Sequence, residues 1–270
     1  GEKPLYLWRV KNGIYFGSEI KALVSLAGKK PEINKNHIIR YLVNGYRSLY
    51  KTKETFYIGV EELPISSYLT VSENSNEKPY VYWNSKVELD KNITYNQAIK
   101  KTRHALIEAV SLRMRSDVPL AFCMSGGVDS NSLISIAKRE LGCDVHGFTI
   151  SDVDSKYEEK DIVNESVKEL GIEHTFIQPR HEGFLENICR LVALHDAPVS
   201  TISYYVHWKL MESVASQGYK VSISGTGADE LFTGYYDHHN LYLNEVFKDE
   251  LLYKKSVDAW QKYQLPIVRN

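Results

Sequence analysis

The spacing of apolar residues divides the chain into two parts. In the first, to about residue 83, short alternating or aromatic runs such as PLYLWRV, GIYFG and SYLTV are broken by glycine, asparagine and proline, which is typical of short β-strands. Helices are predicted within it at SEIKALVSLAG (18–28), where a capping serine precedes the apolar face and a glycine follows it, and at 36–43. This part is therefore predicted to be mostly β, with two helices.

From Thr94 onward, predicted helices alternate with predicted strands. Thr94 and Gln97 have the spacing of a capping box at the start of a long helix. Continuous apolar runs then predict four strands, at 120–124, 145–150, 174–177 and 219–224. Helices predicted at 131–141, at 160–170 and up to about 217 connect them. Continuous apolar strands are typical of parallel sheets covered on both faces, and right-handed crossovers make such a sheet doubly wound.

A polar segment, SENSNEKPYVYWNSK (72–86), separates the two patterns and contains the start of the best boundary candidate, 84–92. We predict one domain over 1–88 and a second over 89–270.

Composition excludes several functional classes. The 270 residues are 43% hydrophobic and 25% charged, with a net charge of −1, so no overall field attracts nucleic acid or a membrane surface. No apolar run reaches the about 18 residues of a membrane span, and the first residues lack the layout of a signal peptide. The three cysteines have neither CxxC nor zinc-site spacing. We expect a reduced, cytoplasmic protein without nucleic-acid or membrane partners.

The segment SGGVDS (125–130) directly follows the first strand of the second part. There, glycine N–H groups and the N-terminus of the next helix can hold a phosphate. The segment lacks the lysine of the common nucleotide loop, which disfavours a kinase of that type, and it carries Asp129 instead. A carboxylate beside a phosphate is explained by a divalent cation between them. We predict Mg²⁺ at Asp129, and pyrophosphate oxygens held by Ser125, Gly126, Gly127 and Ser130. The alternative is a tight turn in which Asp129 only favours the helix dipole.

A second segment of this kind, SISGTGADELFTGYY (222–236), follows the last strand. Gly225 and Gly227 supply the turn, and Asp229 and Glu230 open a helix. Two strand ends, each with glycines and an acid, suit a Mg²⁺–pyrophosphate complex held from two sides, so Asp229 is the predicted second metal ligand. The alternative is that both acids only cap the helix.

Together these two segments resemble the asparagine synthetase family, glutamine-dependent enzymes whose synthetase domain is a PP-loop ATP pyrophosphatase. KPLYLW, FGSEIKAL, KPEIN and GVEELPISSYLTV resemble the end of the family's N-terminal glutaminase domain. YEEKDIV and HDAPVSTISYY are similar to segments between the two loops, so the resemblance covers the whole chain.

The resemblance implies a doubly wound parallel sheet of the PP-loop ATP pyrophosphatase (adenine nucleotide α-hydrolase-like) type, preceded by a partial α+β glutaminase-type segment. It implies ATP and Mg²⁺ as cofactors: ATP adenylates a carboxylate, pyrophosphate leaves, and glutamine-derived ammonia gives an amide and AMP. By position, the catalytic residues would be Asp229, Glu230 and Thr226. The adenosine would be bordered by Met124, Ile150, Ser224 and Gly225. For Met124 and Ile150, plain sheet core is an equal alternative.

Departures from the family pattern limit what the resemblance implies. The family glutaminase uses an N-terminal cysteine, and none of the three cysteines lies near residue 1. The family's catalytic lysine lies farther along than this segment, so we expect a part of a longer enzyme. Thr226 replaces a family glutamate that lies against the acceptor, which puts aspartate in doubt as the acceptor.

Three functions are therefore open. Asparagine synthesis from aspartate is favoured, because true asparagine synthetases prevail in the family. Amidation of another carboxylate, for instance a uronic acid in surface polysaccharide synthesis, would account for Thr226. A non-catalytic nucleotide-binding or scaffold module is the third. His195 and Asp196 are candidates for the acceptor pocket or for a helix-end core role. Homodimer formation is left open.

Overall fold

The computed structural model describes residues 3–11, 13–72, 78–151, 159–179 and 182–266. The chain separates into two compact units. The first comprises Gly1–Ala98 with Arg180–Lys209, and the second comprises Ile99–Pro179 with Leu210–Asn270. No helix within the described ranges is both long enough and apolar enough to cross a membrane.

The first unit contains a three-stranded antiparallel sheet of order β2-β1-β3. Its strands are β1 (Tyr6–Val10), β2 (Gly13–Gly17) and β3 (Val60–Glu62). Between them lie α1 (Ile20–Ala27), α2 (Lys35–Asn44) and a 3₁₀ helix (Tyr46–Lys51), and a short pair, β4 (Ser67–Tyr68) with β5 (Tyr80–Val81), follows. A small core buries Trp8, Ile20, Leu23 and Val60. The α+β prediction for this part is confirmed.

Helix α1 ends as predicted but begins differently. Gly28 adopts the left-handed conformation that ends the helix, with φ 65°. The predicted cap, Ser18, is wrong: Glu19 occupies the N-cap position, and no side chain caps the helix there. A third helix of this unit, α6 (Phe184–His195), comes from much later in the chain.

The second unit is built on a four-stranded parallel sheet of order β8-β7-β6-β9. Its strands are β6 (Leu120–Cys123), β7 (His146–Ile150), β8 (Glu173–Ile177) and β9 (Val221–Ile223). The helices of this part of the chain are α3 (Tyr95–Arg113), α4 (Val128–Ser135), α5 (Lys160–Leu170), α7 (Ile202–Ser216), α8 (Ala228–Phe232), α9 (Tyr236–Val246) and α10 (Glu250–Tyr263). The predicted α/β class with a parallel sheet is confirmed.

Apolar side chains cover both faces of this sheet. Neighbouring residues of a strand point to opposite faces. Accordingly, Phe122 packs with Ile134 and Val163 from helices α4 and α5, whereas Ala121 packs with Leu210 and Val214 from helix α7. The sheet is therefore doubly wound, but only β6 (LAFC) is continuously apolar, since β7 (HGFTI) and β8 (EHTFI) also carry polar residues.

Local signals placed several helix ends correctly. The capping box at the start of α3 forms in both directions: Thr94 N donates to Gln97 Oε1 at 2.9 Å, and Gln97 N donates to Thr94 Oγ1 at 3.3 Å. Gly171 ends α5 in the left-handed conformation, as predicted. The helix predicted at 131–141 instead starts at Val128, and its second half is a π-helical segment, Ile136–Glu140.

A polar chain crosses the sheet beneath the first glycine loop. Thr149 is 4% exposed, and its hydroxyl donates to Met124 O at 2.8 Å. The same hydroxyl lies 2.8 Å from His174 Nε2. Because the Thr149 proton is used on Met124, His174 Nε2 must be the donor to Thr149. Burial, with the charge of His146 as a smaller cause, lowers the pKa of His174 to about 4.

The lowered pKa of His174 predicts that acid weakens the fold. An unfolded histidine titrates near pH 6.5, so between pH 6.5 and 4 the unfolded chain binds more protons than the folded one. The stabilisation is thus complete above pH 6.5 and is lost as the pH falls toward 4. We expect a loss of about 1–2 kcal/mol after allowing for solvent screening, measured by urea unfolding at pH 7.0, 5.5 and 4.5. In His174→Gln, whose amide can still donate to Thr149, the loss should shrink; an unchanged loss would contradict the assignment.

Candidate nucleotide site at the carboxyl edge of the parallel sheet

Strand order places the two glycine segments next to each other. β7 lies on one side of β6 and β9 lies on the other, so the direction of strand order reverses between β6 and β9. In open α/β sheets, ligands bind at such a reversal, beyond the carboxyl ends of the strands. The first loop leaves β6 there, and the second leaves β9.

The two loops are in direct contact. The α-carbon of Gly225 faces the start of helix α4: a Cβ built there would lie 3.0 Å from Asp129 Cβ and 3.1 Å from Ser130 N. The Ser125–Ser130 segment and the turn after β9, predicted to act together, are therefore neighbours in the fold. The approach requires glycine at 225, because a side chain would meet backbone atoms of α4.

The first loop is braced by its own hydroxyl and amide groups. Ser125 N donates to Ser130 Oγ at 3.1 Å, and Gly127 N donates to Ser125 Oγ at 3.2 Å. Asn131 Nδ2 donates to Ser125 O and to Gly127 O, both at 2.8 Å. Ser130 is 8% exposed, so its hydroxyl supports the loop from within. Asn131 was missed by sequence reasoning, although an amide in the first helical turn after a glycine loop is a usable signal.

One loop amide already holds an oxyanion. Gly126 N donates to Glu159 Oε2 at 2.7 Å, so a carboxylate oxygen is bound to an amide that was predicted to hold a pyrophosphate oxygen. Glu159 begins helix α5 and is exposed. Sequence reasoning noted the YEEKDIV segment as a resemblance but did not place this side chain at the loop.

Ser151 was also missed. It directly follows β7 at the same edge of the sheet and is 2% exposed. Within the part of the chain that the structure describes, its hydroxyl oxygen has no hydrogen-bond partner. Buried hydroxyls are usually paired, so Ser151 offers a polar group at the site.

The second loop presents its acids from a short helix. Gly227 has φ 97°, and Asp229 and Glu230 lie in the first turn of α8. Asp229 packs against Gly234, where an added Cβ would overlap the carboxylate. Ser224 Oγ donates to Thr226 Oγ1 at 3.0 Å, so the two hydroxyls act as a pair.

Glu230 is hydrogen-bonded to the residue at the N-cap position of the next helix. Tyr235 Oη donates to Glu230 Oε1 at 2.8 Å, and this bond lowers the pKa of the Glu230 carboxyl below its ordinary value. The ring of His238 lies 5.3 Å from that of Tyr235. The hydrogen bond thus joins α8 to the start of α9.

Comparison with known families identifies the chain. The sequence pattern of the family described as "Asparagine synthase" matches residues 101–265, more than half of the chain. The chain belongs to the asparagine synthase family. A glutamine amidotransferase domain matches residues 1–83. The family resemblance predicted from the two loops is thus confirmed.

Asparagine synthases and named amidases are both among the relatives. A putative glutamine-hydrolysing asparagine synthetase 2 of Methanocaldococcus jannaschii is 30% identical over 253 residues, which cover 90% of this chain and 47% of the relative. The amidase chyE of Penicillium rubens is 27% identical over 285 residues, which cover 98% of this chain and 40% of the relative. The chain therefore spans less than half the length of either protein. Among solved structures, an NH3-dependent NAD synthetase of Campylobacter jejuni matches with a TM-score of 0.34 and 16% identity, over 53% of this chain and 61% of that one.

The residues predicted to border adenosine divide between the edge and the core of the sheet. Ser224 and Gly225 lie on the second loop at the sheet edge. The Met124 side chain is 4% exposed and belongs to the apolar core beneath α4. Ile150 packs against the core on the other face of the sheet. Contacts to adenosine from these residues stay predictions.

Two carboxylates are the candidates for the predicted Mg²⁺ site. In the ranges described, no cluster of three or more acidic, histidine or cysteine side chains forms a closed metal cage. Mg²⁺ is usually held by one or two carboxylates with substrate phosphates and water supplying the rest. Asp129 and Asp229, in the first turns of α4 and α8, are carboxylates of that kind.

The Asp196 carboxylate is paired with Lys21, and both residues belong to the first unit. Its Oδ2 accepts from Lys21 N at 3.0 Å and from Lys21 Nζ at 3.3 Å, and the side chain is 15% exposed. Lys21 Nζ also donates to Leu194 O at 2.7 Å. The candidate Asp196 thus fastens the end of α6 to α1, and His195 packs against Tyr204 with ring centres 5.5 Å apart.

Proposed function

We propose that this chain carries the ATP-binding centre of a ligase that amidates a carboxylate through an acyl-adenylate, with release of AMP and pyrophosphate. The observation that carries the proposal is the contact of the two glycine loops at the reversal of strand order, each followed by an aspartate. Membership of the asparagine synthase family supports it.

The residues of the two loops have distinct roles in this proposal. The N–H groups of Gly126 and Gly127, with the Ser125 hydroxyl, hold pyrophosphate oxygens, and Ser130 holds them or supports the loop. Asp129 and Asp229 hold Mg²⁺, which when bound neutralises charge on the leaving pyrophosphate. Ser224 and Gly225, with Met124 and Ile150 beneath, border the adenosine. Excluding water there would protect the acyl-adenylate from hydrolysis.

Aspartate is the proposed acceptor, and ammonia derived from glutamine is the proposed nitrogen donor. The amidotransferase match over residues 1–83 supports glutamine as the source of ammonia. The product would then be asparagine. We place the enzyme in the cytoplasm, working on small molecules, and homodimer formation is left to measurement.

A different carboxylate acceptor, such as a sugar uronic acid, is the second candidate. It is favoured by the Ser224–Thr226 hydroxyl pair, since a neutral hydroxyl at 226 supplies neither the charge nor the proton acceptor of the family glutamate. Hydroxyls bond well to a polyhydroxylated substrate.

Ligand-induced stabilisation tests the nucleotide site. We expect thermal unfolding of the chain to shift upward with ATP and Mg²⁺ together, by the equivalent of about 2.7 kcal/mol at about 100 times Kd. ATP with EDTA, or GTP with Mg²⁺, should give a much smaller shift. Equal shifts for ATP with and without Mg²⁺ would contradict the metal assignment, and no shift with ATP would favour the non-catalytic scaffold reading.

An acceptor screen separates the two candidates. The protein would be given ATP, Mg²⁺ and ammonia, which bypasses glutamine hydrolysis, and AMP and amide would be measured for each acceptor. We expect asparagine from aspartate. AMP and amide with a uronic acid but not with aspartate would replace the first candidate by the second.

A further inference from the structure

Glu159 is bound to the loop amide that the proposed function needs for a phosphate. The bond from Gly126 N to Glu159 Oε2 is 2.7 Å, a length typical of a hydrogen bond assisted by charge. The two residues are 33 positions apart, so the contact is made by the fold and not by local sequence.

Gly126 lies close to several atoms at the start of helix α5. A Cβ built at Gly126 would lie 3.2 Å from Glu159 Cβ, 3.4 Å from Glu159 Cδ and 3.4 Å from Ile162 Cγ2. The start of helix α5 therefore lies against the glycine. Glu159 stands at the N-cap position of α5 but makes no capping bond with its side chain. Its carboxylate is directed to the loop instead of to its own helix.

A phosphate oxygen and this carboxylate would compete for the same amide. A backbone N–H carries one hydrogen and makes one strong bond. Two anions brought to the same donor also repel each other in the absence of a cation between them.

We propose that Glu159 is an internal anion that occupies the Gly126 amide and is displaced when the pyrophosphate group of ATP binds. The inference rests on the proposed nucleotide site. Without ligand, the carboxylate keeps the Gly126 N–H paired and the loop ordered. With ligand, it withdraws, and after the reaction it competes with pyrophosphate for the amide and favours product release.

The affinity for pyrophosphate then depends on Glu159. Apparent affinity is reduced by the fraction of molecules in which the amide is free. Removing the carboxylate should therefore lower the apparent Kd for magnesium pyrophosphate by about three- to tenfold. Glu159→Ala keeps the Cβ that packs on Gly126 and removes no helix cap.

The test is calorimetric titration of the chain with magnesium pyrophosphate. We expect tighter binding for Glu159→Ala and a smaller gain for Glu159→Gln, whose amide oxygen still accepts without a charge. Glu165→Gln, an exposed neutralisation on the same helix, should stay within about twofold of wild type. The gain should persist at about 0.3 M salt, where long-range charge effects are screened. Equal or weaker binding by Glu159→Ala would overturn the inference.

The Gly126 amide resonance gives a second, independent readout. Without ligand, its position should differ between wild type and Glu159→Ala, because only wild type has a carboxylate on the N–H. With saturating pyrophosphate the two positions should coincide. Resonances that still differ at saturation would show that Glu159 stays on the amide and would overturn displacement. Binding by wild type without a gain in the variant would leave the nucleotide site standing and reject this inference alone. Failure of both proteins to bind would reject the proposed site and the inference with it.

Discussion

Replacing Asp129 with Asn should weaken magnesium-dependent ATP binding by about 100-fold. Loss of a residue that only orients a metal ligand lowers metal affinity by about 10- to 100-fold. Asp129 is proposed as a direct ligand, so its loss should lower metal affinity by about 100-fold or more. The Asn side chain keeps the volume but removes the charge between Mg²⁺ and the start of α4. Titration with ATP at fixed Mg²⁺ measures the effect.

The ligand-free fold should be nearly unaffected by this change. Asp129 lies in the first turn of α4, where losing a negative charge costs about 0.3–1 kcal/mol through the helix dipole. Asp237→Asn is the matched control, since it removes an exposed carboxylate from the first turn of α9. If Asp129→Asn and Asp237→Asn bind ATP equally well in the presence of Mg²⁺, Asp129 does not hold the metal.

Gly225→Ala should separate the two loops and lower ATP affinity by about 10- to 100-fold. The new Cβ would lie 3.0 Å from Asp129 Cβ, 3.1 Å from Ser130 N and 3.3 Å from Asp129 C. Two of these are backbone atoms that cannot turn away, so one loop must shift by a few tenths of an ångström or more. Because a displacement of about 1 Å costs an enzyme about 100-fold in rate, we expect a similar dependence on position for the nucleotide contacts of the two loops.

The change at Gly225 should also cost about 1–3 kcal/mol of unfolding free energy, as overpacking does. Gly17→Ala is the control, because its Cβ would meet only ordinary contacts of 3.4–3.7 Å. Binding by Gly225→Ala at the wild-type affinity, despite a lowered melting temperature, would show that contact between the loops is not needed for the nucleotide.

Much of the chain from Thr94 onward could be predicted from local sequence. Short runs with apolar residues indicated the parallel strands, and Thr94 with Gln97 marked a helix start that forms as expected. These signals succeed because capping and burial periodicity act within one or two helical turns. The prediction that Ser18 caps α1 was wrong. A serine before an apolar face favours a cap, but the backbone conformation places Glu19 at the N-cap position.

Contacts between distant residues could not be predicted in this way. Nothing near Glu159 in the sequence indicates that its carboxylate reaches Gly126, and nothing near Lys21 indicates a bond to Asp196. Likewise, residues 180–209 join the first unit although they lie between strands of the second. Such pairings depend on which elements are neighbours in space, and that is settled by burial over the whole fold.

The sequence by itself determined the chemical character of the site: two glycine turns at strand ends, each followed by an aspartate in the first turn of a helix. Only the tertiary structure decided that the two glycine turns lie together at one place. It places β9 beside β6, so that Gly225 meets Asp129, and it directs Glu159 to the first loop. The physical reason is that glycine turns and helix starts follow from local backbone preference, whereas strand order follows from covering both apolar faces of one sheet.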